Sequence, residues 1–168
     1  MKHPPNNPSL SSCAARVLAL LLFWSNAWGK DADGCFRQAG ARYGIAPELL
    51  CAIARTESGF DARASHRNSD GSVDIGIMQV NSRWFGRLRD YGIAPADLWD
   101  ACLNIHVGAW VLADNIHRYG PTWRAVGAYN AGTRSNSITE QRREQYAAKV
   151  YRNLDEAHVC TRGMRGDS

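Results

Sequence analysis

Two carboxylates on either side of a polar segment are the residues of this chain best placed for chemistry. Glu57 closes an apolar run, Leu49-Leu50-Cys51-Ala52-Ile53-Ala54, and Ser58-Gly59 follows at once. A glycine there suits the left-handed residue that ends a helix, which puts Glu57 in the last helical turn. That end of a helix carries partial negative charge, and the residues before Glu57 are apolar. Both conditions push a carboxyl pKa upward, as a general acid requires. Asp74 lies beyond the loop, in Ser72-Val73-Asp74-Ile75, which reads as a short strand after the Asp70-Gly71 turn. An acid that protonates a leaving oxygen, with a second carboxylate that stabilises or traps an oxocarbenium ion, is the equipment of glycoside hydrolysis. Taken alone, Glu57 also fits a solvated helix-end glutamate, and helix-loop-strand arrangements holding two acids are common.

Positioning these groups falls to a mainly helical chain with one small β-hairpin, an α+β arrangement. A first helix spaces Cys35, Phe36, Ala39 and Tyr43 along one face and stops at Gly44. Pro47 and Glu48 open the next. Residues 59–71 form a polar loop. After the hairpin, Asn81 or Ser82 can cap a helix reaching Tyr91, with Gly92 as its stop. Pro95 to Leu98 makes a short turn or helix. Residues 101–119 form the longest helical pattern, with Leu103, Val107, Trp110, Val111 and Ile116 at periods of three and four and Gly108-Ala109 allowing close packing. Gly120-Pro121 breaks it. Thr122 or Trp123 then opens a helix that ends at Asn130-Ala131-Gly132, and a polar helix from Thr139 to Ala157 carries Tyr146, Val150, Tyr151 and Leu154 on one face. Trp99, Trp110 and Trp123 read as core; Trp84, three residues after Asn81, is open to either use.

A chain of 168 residues with 45% hydrophobic content suits one globular domain with a modest core. Its net charge of +4 could favour an anionic polymer, but singly scattered arginines are no nucleic-acid signature. Lys2 and Arg16 precede an apolar run from Val17 to Trp24, which is too short for a bilayer, and small residues follow at Ser25, Ala27 and Gly29. This pattern predicts a secretory signal peptide over 1–29, a mature domain over 30–168, export to the periplasm, and no stable membrane insertion after cleavage. Cys13 precedes the apolar run, so it does not fit a lipoprotein signal. Cys35, Cys51, Cys102 and Cys160 remain, which in an exported chain reads as two disulfides with three possible connectivities. No Cys-x-x-Cys or paired histidine spacing supports a metal. His3, His66, His106, His117 and His158 read as structural or surface groups, with only His66 placed to see substrate.

Three segments carry a family resemblance: Glu57-Ser58-Gly59-Phe60, Gly76-Ile77-Met78-Gln79-Val80-Asn81 and Ala128-Tyr129-Asn130-Ala131-Gly132. In order, spacing and residue type they resemble the signature segments of lytic transglycosylases of the soluble-transglycosylase, lysozyme-like superfamily. The small exported subgroup that accompanies type III secretion, type IV secretion and pilus systems resembles the whole mature chain. The resemblance implies a lysozyme-like fold, no cofactor, and peptidoglycan glycan strands as substrate, cut between N-acetylmuramic acid and N-acetylglucosamine to leave a 1,6-anhydro end. It implies Glu57 as sole acid/base and Ser58 as a group that orients it. Ser65 would lie near the reacting sugar, and Met78, Gln79 and Asn81 along the groove. Tyr129 would bond or position the glutamate, and Asn130 would contact sugar. It also favours Cys35–Cys102, which leaves Cys51 with Cys160. Residues 68–84 in addition resemble the hairpin of animal-type lysozymes, where the residue matching Asp74 is the second catalytic carboxylate. Asp74 can therefore face the groove or merely hydrogen-bond within its hairpin. A hydrolytic muramidase and a glycan-binding assembly factor are the rival functions.

Overall fold

The computed structural model describes residues 27–157, and its elements follow the expected helices closely. Helix α1 (Ala27–Tyr43) is followed by α2 (Pro47–Ser58), then a sheet of β1 (Ser65–Arg67), β2 (Val73–Ile75) and β3 (Val80–Asn81). A 3-10 turn (Ser82–Trp84) leads into α3 (Phe85–Arg89), and a second (Pro95–Trp99) leads into α4 (Ala101–Tyr119). Helices α5 (Trp123–Ala131) and α6 (Ser137–Ala157) complete the order. The three strands are antiparallel in the order β1-β2-β3, with Asp74 opposite His66 on one side and Asn81 on the other. The predicted leader lies outside the described residues up to Asn26, as do Cys13, Cys160, His3 and His158. Helix α1 begins at Ala27, so the expected boundary at residue 30 falls within its first turn.

Helix α2 is the spine of the molecule. Leu50, Cys51, Ala52, Ile53 and Ala54 are buried on it, and α1, α4 and α6 pack around it. Small side chains at Ala52 and Ala54 let neighbours come close, while Leu50 and Ile53 fill the core with Phe36, Leu98, Ile105, Leu112 and Val150. Cys35 and Cys102 form a disulfide that ties α1 to α4 at a Cα–Cα distance of 5.3 Å. Cys51 is disulfide-bonded as well. None of the described helices is long and apolar enough to cross a membrane.

Three expectations are corrected. Within the polar loop expected over 59–71, Ser65–Arg67 forms β1, which pairs with β2 and makes the expected hairpin a three-stranded sheet. The helix expected from Asn81 to Tyr91 splits into a 3-10 turn and the short α3. Asn81 accepts the Arg83 N–H at 3.0 Å, the Phe85 N–H bonds to the Ser82 carbonyl, and Gly92, at φ 74°, turns the chain. Among the tryptophans read as core, Trp99 and Trp123 are each 43% exposed. Trp110 is half-buried, its ring edge-to-face with Trp84 at 5.3 Å.

Candidate active site

Glu57 stands where the sequence places it, in the last turn of α2. Gly59 ends the helix at φ 63°, and its N–H bonds to the Arg55 carbonyl at 3.1 Å. Phe60 follows at φ 72°, a conformation a bulky residue seldom adopts, and its side chain packs on the core. Gln79 is a second non-glycine residue at positive φ, 48°. Both lie in the signature segments, and strain of this kind persists only where the surroundings enforce it.

The enforcement at Gln79 is visible. Its Nε2 donates to the carbonyls of Ala64 at 3.0 Å and Gly76 at 2.8 Å. Asn104, fully buried on α4, accepts the Met78 N–H at 2.8 Å and donates to the carbonyls of Ile75 and Leu98, both at 2.9 Å. Gly76 has φ 78°, and a Cβ on it would sit 2.3 Å from Asn104 Nδ2. A glycine is required there for both reasons. Ser58 Oγ donates to the Ile77 carbonyl at 2.8 Å, which fastens the end of α2 to this turn.

Residues from across the chain face one cleft, a cavity of about 380 Å³. Of those expected at the site, Glu57, Asp74, Gln79, Asn81, Tyr129 and Asn130 line it. A smaller cavity of about 190 Å³, lined by Glu57, Asn130, Tyr146 and Lys149 among others, lies beside it, so Glu57 is reached from two sides. Three expected residues do not line the cleft. Met78 is wholly buried, its side chain held where a Cβ on Gly108 would approach within 2.7 Å, so it supports the cleft from below. Ser58 is spent on the Ile77 carbonyl. Ser65 is exposed on the outer strand β1, as is His66.

Glu57 receives its hydrogen bond from a residue the sequence did not mark. The Tyr146 hydroxyl of α6 donates to Glu57 Oε1 at 2.6 Å. Tyr129, expected in that role, instead donates to the Met78 carbonyl at 2.8 Å and stacks on the Tyr146 ring at 6.5 Å. The available signal was a tyrosine on the apolar face of an otherwise polar helix. Burial raises the Glu57 carboxyl to about pH 7; the Tyr146 hydrogen bond opposes this, Asp74 adds to it, and Lys149 opposes it. Both Asp74 oxygens are held, Oδ2 by Asn68 at 2.8 Å and Oδ1 by Asn81 at 2.7 Å. Asp74 therefore bonds within the hairpin and faces the cleft as well.

The opposite wall is fixed by a buried arginine. Arg143 on α6 is 1% exposed and donates through Nη2 to the carbonyls of Gly132 at 2.7 Å and Arg134 at 2.9 Å. It also pairs with Glu140, and its guanidinium lies 5.1 Å from the Tyr119 ring centroid. Gly132 and Thr133 line the cleft, so this fork shapes it from behind.

A mainly helical fold with a small antiparallel sheet, whose cleft is lined by Glu57 and Asp74, is lysozyme-like. Residues 34–152 match the family described as transglycosylase SLT domain, and the chain belongs to that family. It is a lytic transglycosylase acting on peptidoglycan. The chain is similar to the X polypeptide of Escherichia coli, 44% identical over 137 residues that cover 81% of this chain and 80% of that protein. It is also similar to the invasion protein IagB of Salmonella typhimurium, 42% identical over 82% of both chains. The protein IpgF of Shigella flexneri is 44% identical over 81% of this chain and 87% of its own length.

Proposed function

We propose that Glu57 is the single general acid/base for cleavage of the β-1,4 bond between N-acetylmuramic acid and N-acetylglucosamine. The observation that carries this reading is a carboxyl raised to about 7 by burial, facing a cleft. Such a group can give a proton and take one back near neutral pH. In the first step the C1–O4 bond breaks as Glu57 passes its proton to the departing O4. In the second, the Glu57 carboxylate removes the proton of the muramic C6 hydroxyl, O6 bonds to C1, and a 1,6-anhydromuramic end forms. Glu57 recovers the proton it gave, and no water is consumed.

The neighbours have separate tasks in this scheme. Tyr146 occupies Oε1 and leaves the other oxygen of Glu57 to carry the proton. Asp74, its oxygens taken by two amides, serves as a fixed anion opposite the positive charge that develops at C1. Asn81 and Asn130 offer amide groups to the sugars, while Ser58, Met78, Gln79 and Tyr129 hold the turn that shapes the cleft.

Mass analysis of digested peptidoglycan tests the scheme: anhydromuramic ends are expected, and Glu57→Gln should lower turnover by roughly 10² to 10⁴ or more. Because Asp74 shares the cleft, a hydrolytic muramidase using Glu57 and Asp74 is the second reading. Reducing muramic ends would establish it in place of the first.

Residues 1–29 are proposed as the secretory leader and 30–168 as the unit that works in the periplasm. The name invasion protein, borne by the Salmonella relative, supports a role in opening the wall locally for a secretion or pilus system. A Glu57→Gln strain that still assembles such a machine, where a deletion strain does not, would make the chain a glycan-binding assembly factor instead.

A further inference from the structure

Away from the cleft, two aromatic rings stand uncovered side by side. Trp123 is 43% exposed and Tyr151 62% exposed, with ring centroids 5.4 Å apart and planes at 79°. A small protein leaves some large rings outside, and Trp99 is one that stands without a ring partner among the described residues. The pair differs because it borders a groove of about 350 Å³, lined by Ile45, Leu49, Ile116, Pro121, Trp123 and Val126 among others.

This groove lies at the far ends of the helices that build the active site. Leu49 is in the first turn of α2 and Glu57 in the last; Trp123 opens α5, whereas Ala128, Tyr129 and Asn130 near its end line the cleft. At about 1.5 Å per residue, groove and cleft are separated by on the order of 10 Å along either helix. The two cavities share no lining residue.

The chemistry of the groove narrows what can fill it. No charged side chain lines it, and Arg124, next to Trp123, is paired with Glu140. The Trp123 Nε1–H and the Tyr151 hydroxyl have no hydrogen-bond partner among the described residues. The surface therefore offers apolar ring faces, free polar tips and no charge. Its volume falls in the range of small-ligand clefts, roughly 300–1,000 Å³. A stable protein interface instead takes about 800 Å² from each partner. A strand of N-acetylated sugars is complementary to it: apolar C–H faces, hydroxyl and amide groups at the edges, and an uncharged backbone. We propose that Trp123 and Tyr151 form a second glycan-binding platform, which holds a stretch of wall glycan while the cleft works on another. The proposal rests on peptidoglycan as the substrate, and not on which groups break the bond.

One test reads binding at the platform itself, with chitotetraose, an uncharged N-acetylated oligosaccharide, added to the wild-type chain. Chitotetraose should shift the NMR signal of the Trp123 Nε1–H, and Tyr151→Ala should weaken its affinity at that signal. Tyr151 stands largely in solvent, so this variant should keep a thermal midpoint close to the wild type. A Trp123 signal that stays in place, or an affinity that Tyr151→Ala leaves intact, overturns the proposal. So does an apolar peptide that moves the signal where chitotetraose does not, which would assign the groove to a protein partner.

A second test reads turnover, for the wild type and for Trp123→Ala/Tyr151→Ala. On whole sacculi, the half-saturating concentration should rise by about tenfold with kcat unchanged, because a second attachment raises effective concentration. On soluble glycan strands too short to reach both sites, kcat/KM should match the wild type. Equal losses on both substrates, or no loss on sacculi, overturn the platform.

Discussion

Glu57 is held between two neighbours that act on it in opposite directions. The Tyr146 hydroxyl stabilises the carboxylate, and the Asp74 charge destabilises it. Activity that needs the protonated acid should fall on an alkaline limb near pH 7. Tyr146→Phe is expected to move that limb upward and lower kcat, because the acid loses both its stabilising donor and its fixed orientation. Asp74→Asn is expected to move the limb downward. The pH dependence of kcat/KM, recorded on the same strands, checks both signs. Glu57 was legible because a glycine-terminated apolar helix reports where its last carboxylate stands. Tyr146 was not, because its partner lies 89 positions away and only the docking of α6 on α2 joins them. Tyr129 stands in a recognisable motif, but the hydrogen bond to Glu57 comes from Tyr146, on whose ring Tyr129 stacks.

At the scale of elements, the turn from Gly76 to Gln79 is built by α4 rather than by its own sequence. Asn104 satisfies three buried backbone groups at once. Asn104→Leu should therefore cost about 3 kcal/mol or more, read as a lowered denaturation midpoint, since each group left unpaired costs about 1–3 kcal/mol. The helices were readable from their periodicity, and α4 is found over the predicted residues. The turn was not, although Asn104, Gly108, Val111 and Asn115 form an inward stripe in which two amides interrupt the apolar pattern. A polar residue at an inward position signals a buried acceptor or donor across the gap, but not which one. Arg143 shows the same limit: an arginine in a polar helix reads as surface until its neighbours close over it. Arg143→Met should unpair the Gly132 and Arg134 carbonyls, loosen that wall of the cleft and raise KM for glycan strands.

The whole molecule bears a cost for its acid. The folded-state value of Glu57, about 7, lies above the ordinary 4.5, so the native chain holds this proton more tightly than the unfolded chain does. Below pH 4.5 both states are protonated and the penalty is absent; it grows as the pH rises and is complete above 7. Glu57→Gln should therefore leave stability unchanged near pH 4 and raise it by about 3 kcal/mol at pH 8, as paired thermal melts can show. The disulfide acts in the other direction. Cys35 and Cys102 are 67 residues apart, and the Cys35→Ala/Cys102→Ala variant should lose about 4 kcal/mol in denaturant titrations. The exposure of Trp99 and Trp123 was illegible because a small protein has too little interior to cover every large ring, and no local pattern says which are left out.

Tyr146 and Arg143 both belong to α6, which follows every other described element in the chain. Both sides of the cleft therefore hang on the docking of one helix: undocking α6 would take the donor from Glu57 and the brace from the Gly132 carbonyl in a single event.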